Sequence, residues 1–294
     1  MNTAHQSVML TETLEIMAIK SGSVVIDATF GSGGHTQALL DQGATVIAFD
    51  WDTEAIERGV VRFKAAIAEN KLFLIHESFS KLAEEVANLK QTEDLPISAV
   101  LFDFGTSSEQ LMSAERGFSF MGDGPLDMRM DTRLAVMAKD ILALVPEKQL
   151  EQLFREFSGE VHARAIAKAV KQSPTPITTT AQLVDCIAKV THRKAHGLHP
   201  ATKVFQALRI AVNGELSEIQ LALPQALSVL EQGGRIVCIA FHEGEDRIVK
   251  QQFVQWEANK KVKKLYKKPL QPNETELQKN PRARSAKLRG VEKI

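Results

Sequence analysis

Cysteine is nearly missing. Cys186 and Cys238 are the two in 294 residues, too few for a disulfide framework, so a reducing, cytoplasmic setting is expected. No apolar run reaches the ~18 residues of a membrane span. The opening MNTAHQSVML also lacks the basic start and apolar stretch of a secretory signal. Neither a nucleophile elbow nor a phosphate-binding lysine loop occurs, which argues against hydrolase and NTPase designs. Internal repeats and low-complexity segments are absent as well. What remains is ordinary globular composition, 44% hydrophobic and 24% charged, which excludes a disordered, collagen-like or fibrous chain. At ~150 residues per domain, the length suits one large domain or two modest ones.

Net charge is zero, with 36 Lys and Arg against 36 Asp and Glu, but it is unevenly spread. From Lys260 to Ile294 twelve Lys and Arg face only Glu274, Glu276 and Glu292, so that segment is +9 and the remainder −9. A second stretch, Val161 to Arg209, is rich in Lys, Arg and His against the single acid Asp185. This asymmetry fits a polyanion partner, or else a solubilising tail and a solvated helix face.

The first half alternates apolar strands with helical patterns. Val24 to Asp27, Thr45 to Asp50, Leu72 to Ile75 and Ser98 to Asp103 read as strands, with helices over His35 to Asp41 and Thr53 to Glu69 between them. The rhythm resumes downstream, with a long amphipathic pattern from Lys203 to Leu230 and a strand from Arg235 to Phe241. Between Thr132 and His199 no strand pattern appears, and apolar residues recur at helical spacing. The expected fold is therefore α/β: a doubly wound, mostly parallel sheet with helices on both faces and an inserted all-helical domain. The expected division is 1–131 and 200–294 for the sheet domain, with a basic C-terminal tail, and 132–199 for the insertion.

The turn after the first strand carries Gly31-x-Gly33-Gly34, and a glycine turn there lets backbone amides approach a nucleotide-like ligand. The dinucleotide fingerprint needs a third glycine where this chain has Thr36. Asp50 ends the second strand nineteen residues after Gly31, where a carboxylate accepts ribose hydroxyls. Asp27 and Asp103 end two further strands, and acids at strand carboxyl ends face the ligand crevice of an open sheet. A ribose without pyrophosphate, an adenine edge and a cationic sulfonium match this pattern, pointing to S-adenosylmethionine, with NAD as the rival.

Longer motifs narrow the reading. Leu101-Phe102-Asp103-Phe104-Gly105-Thr106-Ser107-Ser108-Glu109-Gln110-Leu111, Arg116-Gly117-Phe118-Ser119-Phe120 and Gly124-Pro125-Leu126-Asp127-Met128-Arg129-Met130-Asp131 closely resemble the bacterial 16S ribosomal RNA cytosine-N4 methyltransferases. So do His5 with Val8-Met9-Leu10, His199-Pro200-Ala201-Thr202, Val212-Asn213, Phe241-His242 and Asn280-Pro281-Arg282-Ala283-Arg284-Ser285, so the resemblance spans nearly the whole chain.

The resemblance implies a Rossmann-like S-adenosylmethionine fold whose helical insertion helps bind 16S rRNA, with the cofactor held by Gly33, Gly34, His35, Asp50, Phe79, Asp103 and Gln110. It implies methylation of a decoding-site cytidine, with a paralogue acting on another nucleotide or a non-catalytic ribosome assembly factor as alternatives. Departures from the family pattern are Trp51 between the two acids, Phe104-Gly105-Thr106, Glu109, and Glu243-Gly244 after His242.

Candidate catalytic residues are Asp103, to orient the amine or only to bind cofactor; Asp127 with Arg129, to grip a phosphate or to buttress a loop; and His242, to bond the flipped base or to serve structure. Trp51, Phe118 and Phe120 are candidate stacking surfaces for an unstacked base, or core residues. No metal is expected at His192, His196 and His199 near Cys186, because Arg193 and Lys194 intervene and no carboxylate supports the cluster.

Overall fold

The structure, a computed structural model, describes residues 7–90, 96–107, 110, 113–191 and 199–294. The readings on His5, Ser108, Glu109, Leu111, His192, Arg193, Lys194 and His196 lie outside the described residues. Its contacts divide the chain into two compact units, 1–105 with 216–294, and 106–215.

The first unit is built on seven strands: β1 (Val24–Asp27), β2 (Thr45–Asp50), β3 (Leu72–His76), β4 (Ile97–Asp103), β5 (Leu230–Ala240), β6 (Val262–Lys264) and β7 (Lys287–Lys293). They form one sheet in the order β3-β2-β1-β4-β5-β7-β6. The pairings from β3 to β5 are parallel, whereas β7 runs antiparallel to both β5 and β6.

The apolar runs of the inner strands are buried on both faces, with the period of two that pleating imposes. Ile26, Phe49, Val100 and Phe102 enter one core layer, under helices Leu82–Lys90, Glu215–Val229 and Glu243–Ala258. Val25, Val46, Ala48 and Leu101 enter the other, under helices Leu10–Met17, Gly34–Asp41 and Thr53–Arg62. The sheet is thus doubly wound, as its alternating pattern predicts. Order reverses between β1 and β4, and in open α/β sheets the crevice at that switch point, outside the strand carboxyl ends, takes the ligand.

Three elements differ from the sequence expectation. The pattern from Thr53 to Glu69 breaks at Phe63, whose ring is buried edge-on against Phe30, giving helices Thr53–Arg62 and Lys64–Ala68. The pattern from Lys203 to Leu230 breaks at Gly214, with φ +61°, into helices Thr202–Asn213 and Glu215–Val229. The basic segment from Lys260 onward is no tail, because it supplies β6 and β7, with Val262, Leu288 and Val291 buried among its lysines and arginines.

The second unit carries helices Ala138–Leu144, Glu147–Ser158, Ala163–Lys171, Thr180–Ala188 and Thr202–Asn213. Their inner faces present Leu150 and Phe154, Ile166 and Val170, Leu183 and Ile187, and Val204 and Leu208. This unit is longer than the 132–199 read from the pattern. Residues 116–131 bond within it, Leu126 N–H donating to Thr178 O at 2.8 Å and Thr180 N–H to Gly124 O at 2.9 Å. No helix of the described residues is long and apolar enough to cross a membrane.

Candidate active site

The turn that follows β1 is fixed from beneath by Asp27. Its buried carboxylate accepts from the Thr29 N–H at 3.2 Å and from Thr36 Oγ1 at 2.7 Å, tying the turn to the first coil of helix Gly34–Asp41. Burial pushes the Asp27 carboxyl above its ordinary value, and these hydrogen bonds oppose that rise. Gly33 takes φ +74°, and a Cβ there would stand 2.6 Å from the Phe63 ring. At Gly34 a Cβ would collide with Ser7 Oγ. Glycine is therefore required at Gly33 by its positive φ and the rings around it, whereas at Gly34 the Ser7 hydroxyl would have to turn aside.

Asp50 and Asp103 stand at the carboxyl ends of β2 and β4, on either side of β1. The Asp50 Oδ2 accepts the Gly31 N–H at 2.7 Å, and its Oδ1 accepts the Asp52 N–H at 2.9 Å. Each oxygen keeps a second lone-pair direction, so the pair still suits two ribose hydroxyl donors. Burial, partly offset by these two bonds, pushes the Asp50 carboxyl up to about 6.

Asp103 is gripped through its backbone, whose N–H donates to Thr29 Oγ1 at 2.7 Å. Its Oδ2 lies 3.5 Å from His35 Nδ1, and its Oδ1 is buried without a hydrogen-bond partner among the described residues. Burial, then the charges of Asp27, Glu245 and Glu276, push the Asp103 carboxyl well above the usual range. An acceptor held this way is stabilised by a donor or a cation brought to it.

An aromatic wall lies beside these acids. Phe79 meets Phe102 edge-on at 5.7 Å, Phe104 at 6.2 Å and Trp51 at 6.0 Å between ring centres. Helix Glu215–Val229 holds the segment that carries Phe79. Ser78 Oγ donates to Glu218, the Ala83 N–H donates to Gln225 Oε1 at 3.0 Å, and Gln225 Nε2 donates to Ser80 O. Ser78, Glu218 and Gln225 escape a motif reading. Thr29 lies in the glycine turn that follows β1, but its bond to the Asp103 N–H is not legible there.

His242 serves the fold through one ring nitrogen. It caps helix Glu243–Ala258, its Nδ1 accepting from the Gly244 N–H at 3.1 Å and the Glu245 N–H at 3.4 Å. Glu245 Oε2 reciprocates, accepting the Phe241 and His242 N–H groups at 2.7 and 3.2 Å. With Nδ1 an acceptor, the ring proton belongs on Nε2, which lies 3.0 Å from Glu245 Oε1 but makes no hydrogen bond among the described residues.

In the helical unit, Gln110 closes a local turn with Ser107: the Ser107 N–H donates to Gln110 Oε1 at 3.0 Å and the Gln110 N–H to Ser107 Oγ at 3.2 Å. Arg129 binds Asp127 through two parallel bonds, Nε to Oδ1 at 2.7 Å and Nη2 to Oδ2 at 2.9 Å. Its Nη1 donates to Thr132 O and Leu134 O at 3.0 and 2.7 Å. Four of the five guanidinium N–H groups are therefore committed within the chain, as a loop buttress requires. Burial would raise the Asp127 carboxyl, but the hydrogen bonds and charge of Arg129 prevail and hold it low.

The loop is closed by Asn213, which accepts the Met130 N–H at 2.7 Å and donates to Met128 O at 2.8 Å. Phe118 is buried beneath the Arg116 guanidinium and serves packing, whereas Phe120, half-buried, stacks on His199 at 4.6 Å.

The structure thus brings Gly33, Gly34, His35, Asp50, Phe79 and Asp103 to one edge of the sheet unit, while Gln110, Asp127 and Arg129 belong to the helical unit. A family model described as the MraW methylase family matches residues 2–294. The chain is 40% identical over 310 residues to "Ribosomal RNA small subunit methyltransferase H" of Caldicellulosiruptor saccharolyticus, covering 99% of each protein. It is 41% identical over 312 residues to the protein of that name from Alteromonas mediterranea, covering 99% of this chain and 97% of that one. Among solved structures, an rRNA methylase from Streptococcus thermophilus matches with TM-score 0.46 and 15% identity, covering 99% of both chains.

Proposed function

The chain belongs to the MraW methylase family, and on that footing we propose that it methylates small-subunit ribosomal RNA from S-adenosylmethionine, at the exocyclic N4 of a cytidine in the decoding region of the 16S molecule. The observation that carries this reading is Asp103 Oδ1, a buried acceptor without a partner among the described residues, at the tip of β4 beside the switch point.

The residues fit the cofactor. Asp50 offers two carboxylate oxygens to ribose hydroxyls, Phe79 offers an apolar face to adenine, and the negative charge at the strand tips suits a sulfonium. When bound, S-adenosylmethionine supplies an electrophilic methyl group.

The difficulty lies with the acceptor, since the cytosine N4 lone pair is delocalised into the ring. Asp103 Oδ1 accepts an N–H of the target amine and turns its lone pair toward the methyl carbon. As the C–N bond forms and the C–S bond breaks, the Asp103 carboxylate, with its raised pKa, takes the released proton. No covalent bond to the enzyme is needed. The base has to leave its stack to reach this position, and the helical unit serves the recognition of the surrounding RNA.

The test is transfer of labelled methyl groups from S-adenosylmethionine to small subunits isolated from a deletion strain, with the labelled nucleoside identified by mass spectrometry. N4-methylcytidine in the decoding region is the expected product. Label in another nucleoside, or none, overturns the assignment.

A further inference from the structure

The run Asn280-Pro281-Arg282-Ala283-Arg284-Ser285 lies outside the residues assigned to the cofactor above, and it is built firmly into the sheet unit. It forms a tight turn in which the Ala283 N–H donates to Asn280 O at 3.0 Å and the Ala286 N–H to Ala283 O at 2.8 Å. Ala283 and Ala286 are buried in the core layer beneath, so Arg284 and Ser285 between them stand on the surface. Lys287 follows, opening β7 opposite Ala240 at the end of β5. Because β7 is antiparallel, Lys287 comes to the same sheet edge as Asp103, which pairs with Ile239 of β5. Reciprocal backbone bonds of 2.9 Å between Leu270 and Leu288 bring Gln271 there too.

A cavity of about 210 Å³ opens at this place, lined among others by Arg284, Lys287, Ser285, Gln271 and Glu243. At ~30 Å³ per water it has room for about seven waters, ample for a phosphate group. Arg284 and Gln271 make no hydrogen bond or ion pair among the described residues. The acid nearest Lys287, Asp246, is already held by Arg289 at 2.7 and 3.2 Å and lies 3.4 Å from Lys287 Nζ, so the ammonium keeps donors to offer. Exposed Glu243 lines the same cavity and lowers its positive charge, which suits a singly charged diester better than a terminal phosphate dianion.

Along the carboxyl edge the sign of charge therefore reverses. Asp50, Asp27 and Asp103 occupy β2, β1 and β4, and beyond β5 come Arg284 and Lys287. With strands ~4.8 Å apart, β7 lies about 10 Å from β4, of the order of the span from a base edge to its own phosphate.

We propose that this cavity is a phosphodiester subsite, which seats a backbone phosphate of the RNA whose base is presented to Asp103. The inference rests on the RNA substrate proposed above. Contacts of this kind fix register and orientation without reading sequence.

The test is fluorescence-anisotropy titration of the full chain with a short single-stranded oligoribonucleotide over a range of salt. Arg284→Ala and Lys287→Ala are each expected to weaken binding about tenfold and to flatten the log–log salt slope by about 0.7, the value for one phosphate on a single strand. Arg284→Lys restores most of the loss. Glu243→Gln tightens binding, a gain that misfolding does not produce. Unchanged affinity and slope in both alanine variants, with Glu243→Gln equally inert, overturn the subsite. Displacement of the oligonucleotide by equimolar inorganic phosphate overturns its assignment to a diester. None of these titrations needs methyl transfer, so they stand or fail separately from the labelled-methyl assay.

Discussion

Glu218 accepts a hydrogen bond from Ser78 Oγ across 140 residues of sequence, and through it helix Glu215–Val229 sets the position of Phe79. Ser78 itself caps the turn that begins at Phe79, accepting the Ser80 N–H at 3.1 Å. If Phe79 is the adenine wall, loosening this clamp acts on cofactor affinity before it acts on chemistry. Glu218→Ala is expected to raise KM for S-adenosylmethionine about fivefold to tenfold, with a smaller change in kcat. Glu218→Gln, which keeps an acceptor, should recover most of the loss. Steady-state kinetics with the cofactor varied separates these outcomes, and an unmoved KM would detach Phe79 from the cofactor.

Asp103→Asn tests the acceptor directly. The amide keeps one oxygen but loses the charge and the capacity to take a proton. At saturating S-adenosylmethionine, kcat is expected to fall about 10²-fold, the scale of losing one preorganised polar group at a reacting centre. A variant with near-normal kcat and a raised KM for cofactor would restrict Asp103 to binding.

The strand tips were legible from sequence because each ends an apolar run with a single acid: Asp27, Asp50 and Asp103 all lie where the spacing puts them. The partners of such residues were not. Nothing local to Ser78 announces Glu218. Strand β7 is hidden because Lys287, Arg289 and Lys293 dominate its pattern, although Arg289 pairs with Asp246 and Lys293 Nζ donates to Leu227 O and Leu230 O. At Arg129 the spacing from Asp127 was visible, but the carbonyls of Thr132 and Leu134 that complete its shell were not, and they favour the loop buttress over the phosphate grip.

The raised carboxyls predict how cofactor binding depends on pH. A cation brought to Asp103 favours its ionised form, so its pKa falls on binding and a proton is released. Affinity for S-adenosylmethionine should therefore rise with pH, and titration calorimetry in buffers of different ionisation enthalpy should register net proton release. Asp50, pushed up to about 6, gives a second limb, because its hydroxyl-accepting carboxylate is lost as pH falls through that value. Asp50→Asn is expected to bind more weakly throughout and to lose the limb near pH 6. Proton uptake on binding would contradict both assignments.

The Asp127–Arg129 pair makes its prediction in stability. Its guanidinium joins two backbone carbonyls to a carboxylate within the helical unit, and both side chains are largely shielded, 16% and 23% exposed. Arg129→Ala leaves those carbonyls without their donor and Asp127 with only the backbone N–H of residue 129, at 3.1 Å in the native chain, a loss of about 2 kcal/mol by the usual size of charge-assisted hydrogen bonds. Arg129→Lys, a point donor without the planar fork, should recover little of it. Denaturant unfolding measures the loss, and the salt slope of RNA binding supplies the contrast. A buttress lowers the unfolding midpoint of the helical unit and leaves the slope unchanged in protein that remains folded. A phosphate grip would flatten the slope by about 0.7 and leave the midpoint alone. Because four of the five Arg129 N–H groups are already engaged within the chain, the first pattern is expected.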